Sequence, residues 1–85
     1  MRRLPRVEVE WRDSCSRGMW DSIEGHRKRN GVGPILSIGY LLQKTKQVVQ
    51  LAQSHSVAND DVTDTITIPS ENVVRMKRIT GGLTR

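Results

Sequence analysis

Five short runs of β-branched and alternating apolar residues, each bounded by polar, Gly or Pro breaks, dominate this sequence. Val7-Glu8-Val9-Glu10-Trp11-Arg12 alternates apolar with charged residues. That is the period of a half-buried strand, with Val7, Val9 and Trp11 facing in. Residues 35–42 are the most apolar stretch. Leu36, Ile38, Tyr40 and Leu42 share one face, read as the inner one, and Ser37 and Gly39 lie opposite. Gly39 inside a strand signals a bulge, a sharp bend or a close backbone approach. Residues 47–53 give a third strand with Val49 and Leu51 inward. Residues 62–68 give a fourth with Val62, Ile66 and Ile68 inward. Pro69-Ser70-Glu71-Asn72 is a tight turn or a single 3₁₀ turn. Residues 73–79 are the last strand, with Val74 and Met76 as its core pair.

Strands this short, with no long helix to cover them, must close on themselves to hide their edges. The predicted fold is mainly β: a five-stranded, strongly bent barrel of the SH3 or Sm type, with a short helix or irregular insert after strand 1. The helix is expected over residues 23–29, capped by Asp21 or Ser22 and stopped by Asn30-Gly31-Val32-Gly33-Pro34. The oligonucleotide-binding barrel places its helix between strands three and four, where only a short polar loop, residues 54–61, is read. Residues 1–6 form a basic N-terminal arm, residues 7–79 one domain, and residues 80–85 a flexible tail.

At 85 residues the chain makes one small domain, burying about 60–65% of the surface its unfolded form exposes. Its single Cys excludes an internal disulfide, and one Cys with two His falls short of a four-ligand zinc site. The acidic group Asn59, Asp60, Asp61 and Asp64 lacks the spacing of a calcium loop. Cys15 has no Gly-rich elbow and no His near it in sequence. No metal, cofactor or catalytic residue is therefore expected, and the protein reads as non-enzymatic. No run reaches the ~18 apolar residues of a membrane span, and no apolar leader follows Met1-Arg2-Arg3, so a cytoplasmic location is expected.

The net charge of +5 comes in blocks. Residues 25–46 hold five cations and no acid, and residues 75–85 are basic again. Arg27, Lys28, Arg29, Lys44, Arg75, Lys77 and Arg78 are the candidate anion-binding residues, with Arg suited to bidentate grip on phosphate. Trp20 and Tyr40 are candidate stacking platforms. An apolar content of 35% without any Phe leaves little core volume. Ile35, Leu41, Val48 and Val73 add apolar surface opposite the chosen core set. Strands apolar on both sides point to a homo-oligomer.

Val7-x-Val9-x-Trp11-x-Asp13, Trp20-Asp21-Ser22, residues 37–42, Leu51-Ala52-Gln53-Ser54, Ile68-Pro69, Val73-Val74 and Ile79 follow one another in an order that resembles small uncharacterised proteins of tailed bacteriophages. The resemblance spans residues 7–79 and implies a phage-encoded small barrel, with no catalytic residue to carry over. The expected function is a non-enzymatic basic binding module that holds an anionic ligand, nucleic acid or a phosphorylated nucleotide-like molecule, in an oligomer. The alternative is a phage-encoded inhibitor that docks on a host protein, an anti-defence or host-takeover factor.

Overall fold

In a computed structural model of the protein, residues 3–13, 20–28 and 33–81 are described. Strand β1 (Arg6–Arg12) is followed by helix α1 (Ile23–Lys28), β2 (Pro34–Lys44), β3 (Val48–Ser56), β4 (Asp61–Pro69), a 3₁₀ turn (Ser70–Asn72) and β5 (Val73–Arg78). The strands make one antiparallel sheet in the order β4-β3-β2-β1-β5. The expected strands and the 3₁₀ turn are all present. The β3–β4 loop is shorter than the expected residues 54–61, because both strands run on to a four-residue turn at residues 57–60. Asp60 takes the left-handed conformation there, with φ 56°. Asp tolerates that region better than most side chains.

Strand β2 is the pivot. Its first part, from Pro34 to Tyr40, pairs with β1, and its second part, from Tyr40 to Lys44, pairs with β3. Gly39 sits where the two pairings meet. A Cβ there would lie 2.8 Å from the Ala52 carbonyl oxygen and 3.2 Å from the Leu51 Cβ. Only a residue without a side chain lets β3 fold so closely over β2. The β2–β3 register then slips between Leu41 and Gln43, a bulge that adds local twist.

This bend brings strands that are not sheet neighbours into one core. Val7, Val9 and Trp11 of β1 pack with Val49 and Leu51 of β3 and Ile68 of β4; Ile35, Leu41, Val73 and Met76 close around them. β4 and β5 stand at opposite ends of the strand order, so the sheet is bent over its core and not closed by hydrogen bonds. The 3₁₀ turn that joins them is docked on the β2–β3 turn: the Ser70 N–H donates to the Gln47 carbonyl at 2.8 Å, and Ser70 Oγ donates to the Thr45 carbonyl at 2.9 Å. Thr45 Oγ1 accepts from the Gln47 and Val48 N–H groups, a hydroxyl turn that replaces the missing Gly or Asn chemistry.

Inward assignments on three strands are corrected. On β2, Leu36 and Ile38 point outward at 64% and 66% exposure, whereas Ile35 and Leu41 pack on the core. β1 decides this: Val9 pairs with Ser37 and Trp11 with Ile35, so the inward face of β1 continues into Ile35, Ser37 and Gly39. The indole N–H of Trp11 donates to Ser37 Oγ at 3.0 Å, giving the half-buried nitrogen its partner. On β5, Val73 packs inward in place of Val74, because the β1–β5 register shifts between Glu10 and Trp11. Ile66 is likewise partly exposed, while Ile68 is fully buried.

Ser22 is the cap of α1: its Oγ accepts the Gly25 N–H at 2.9 Å. The helix ends at Lys28 and buries no residue. Among the described residues no helix is long and apolar enough to cross a membrane.

Candidate anion-binding site

The backbone gathers cations at one corner of the sheet. Arg6 opens β1 opposite Tyr40 of β2, and the next residue, Val7, pairs with Arg78 of β5. Two further bonds hold the strands together there: the Leu41 N–H donates to the Pro5 carbonyl and the Ile79 N–H to the Arg6 carbonyl, both at 2.8 Å. The chain just before β1 is thereby held between β2 and β5. A cavity of about 330 Å³ opens at this corner, lined by Arg3, Leu4, Pro5, Arg6, Tyr40, His55, Val57, Arg78 and Ile79. Among the described residues its lining contains three arginines and no carboxylate.

Two aromatic rings form the wall. Tyr40 and His55 meet edge to face, with centroids 5.9 Å apart and planes at 65°. The His55 side chain is 2% exposed, and its Nε2 lies 2.9 Å from Asp60 Oδ1. A carboxylate can only accept, so Nε2 carries the proton and donates it. That bond fixes the imidazole plane, and the ring in turn braces Tyr40. Arg6 is half-buried and donates from Nη2 to the Gly81 carbonyl at 2.9 Å.

The seven cations expected to bind anions do not form one patch. Arg78 lines the cavity, as does Tyr40. Arg75 and Lys77 stand on the neighbouring outer face, where Arg75 Nε meets Glu10 at 3.2 Å and Lys77 Nζ meets Glu8 at 3.3 Å. Lys44 is exposed at the far end of β2, four residues and about 13 Å of strand from Tyr40. Arg27 and Lys28 are exposed in the last turn of α1, where they complement the helix dipole. Arg29 lies outside the described residues, as does Cys15. Trp20 is fully exposed just before the Ser22 cap and lines no described cavity together with Tyr40.

Arg3, Arg6 and His55 were not expected at a site. Aligning β1 antiparallel with β5 was the available signal, since it sets the basic start of one strand beside the basic end of the other. Nothing in the sequence announces His55, which arrives only because β3 is long enough to carry it past Tyr40. In comparisons with protein-family models, curated proteins and solved structures, the chain has no match.

Proposed function

We propose that this protein is a non-enzymatic binding module that holds a phosphate-bearing ligand, a nucleotide or nucleic acid, at the Arg3–Arg6–Arg78 corner. The observation that carries this reading is a cavity lined by three arginines and, among the described residues, no carboxylate. Arginine forks match phosphate oxygens in pairs, and a concave site concentrates their field. The strand order, the bent and shared β2, and the 3₁₀ turn before β5 support an SH3/Sm-like barrel as its architecture. The phage-like order of sequence pieces supports a phage protein acting in a host cytoplasm.

Calorimetric titration with inorganic pyrophosphate tests the binding reading. Saturable binding whose affinity drops as salt rises is expected, because exposed charges are screened over about 10 Å at 0.1 M salt. No binding, or an affinity indifferent to salt, overturns it.

Self-association is the second part of the reading. Only seven apolar residues are buried among the described residues, while Leu36 and Val74 are exposed. A thin core with exposed apolar side chains favours covering them with a second copy. Sedimentation at micromolar concentration is expected to give more than one subunit; a single-subunit mass contradicts it.

A further inference from the structure

The cationic cavity has a neighbour with different chemistry. A second cavity, also of about 330 Å³, is lined by Arg6, Ile38, Gly39, Tyr40, Gln53 and Ile79. Arg6, Tyr40 and Ile79 line both. The two cavities therefore adjoin, with Arg3 and Arg78 lining only the first and Ile38, Gly39 and Gln53 only the second.

The shelf formed by the second cavity explains a residue the core does not. Ile38 is 66% exposed on a strand whose alternate residues are packed inward. Beside it Tyr40 offers an aromatic ring. Gln53, exposed at the shelf, carries an amide that both donates and accepts. A flat heterocycle needs these two things: an apolar or aromatic surface to lie on and an amide to meet its polar edge.

We propose that the two cavities together take one mononucleotide unit, its phosphate at Arg3, Arg6 and Arg78 and its base on the Ile38–Tyr40 shelf, with Gln53 reading the base edge. Arg6 lies between the halves and serves both. This rests on the phosphate-binding reading above and narrows it: phosphate alone fills only the cationic half. A free nucleotide and the terminal unit of a single strand offer the same chemistry.

Equilibrium dialysis with adenosine monophosphate, ribose 5-phosphate and a short single-stranded oligonucleotide carrying a 5′-phosphate tests it. Adenosine monophosphate is expected to bind about tenfold tighter than ribose 5-phosphate, since base stacking on a side-chain platform is worth about that factor. Ile38→Ala and Gln53→Ala change exposed side chains that the core does not use. Both are expected to shrink the margin while leaving ribose 5-phosphate binding in place. The oligonucleotide identifies the source: binding tighter than the monophosphate assigns the unit to a strand end, and binding no tighter assigns it to a free nucleotide. If ribose 5-phosphate binds as well as the nucleotide, the shelf is not a base site and this inference falls while the phosphate site stands. If neither binds, both readings fall.

Discussion

Strand β5 places similar cations in two different settings within four residues. Arg75 and Lys77 lie on the outer face opposite Glu10 and Glu8, and each is paired across the strand at 3.2 and 3.3 Å. Arg78, next along the chain, lines a corner shared with Arg3 and Arg6, where no carboxylate among the described residues lines the cavity. The first arrangement is a solvated ion-pair ladder that contributes about 0–1 kcal/mol per pair and presents little net charge. The second concentrates positive charge in a concave, partly aromatic setting. A count of basic residues cannot separate the two; the identity of the cross-strand neighbour can.

The largest effect on this contrast is expected from Gly39→Val. Its side chain would meet the Ala52 carbonyl and Leu51, an overpacking that costs about 1–3 kcal/mol. Straightening β2 would also move Tyr40 away from His55 and widen the corner, whereas the Arg75–Glu10 and Lys77–Glu8 pairs depend on β1 and β5 alone. Urea denaturation is expected to show a lower midpoint, and pyrophosphate binding is expected to be lost. Unchanged stability would mean that the close approach over Gly39 does not shape the fold.

The sequence made the strands legible because their signals are local. Alternation in residues 7–12, the Thr-Ile alternation before Pro69, and the polar turn at Thr45 each need only a few neighbours to be read. The inner face of β2 was not legible, because residues 35–42 are apolar on both sides and parity alone cannot choose between them. The choice is made by pairing: Trp11 needs an acceptor for its indole N–H, and Ser37 supplies it only when Ile35 and Ser37 face inward. Leu36 and Ile38 are then left outside. The helix cap was legible to within one residue, Asp21 or Ser22, for the same local reason as the strands, and the hydrogen bond to the Gly25 N–H selects Ser22. The arginine-lined corner was half legible. Tyr40 and Arg78 stand out by residue type, but Arg3, Arg6 and His55 join them only through long-range register. The ion pairs that occupy Arg75 and Lys77 are likewise invisible until β1 is laid beside β5.

The contrast between the two settings on β5 can be measured directly with paired variants in the pyrophosphate titration. Arg6→Ala with Arg78→Ala is expected to weaken binding by at least about tenfold, the scale of losing one charge-assisted hydrogen bond. Arg75→Ala with Lys77→Ala removes the same formal charge from the same sheet and is expected to change affinity by less than about threefold, since its electrostatic worth is already spent on Glu10 and Glu8. Equal losses from the two pairs, or a greater loss from the second, would contradict the assignment of the binding corner.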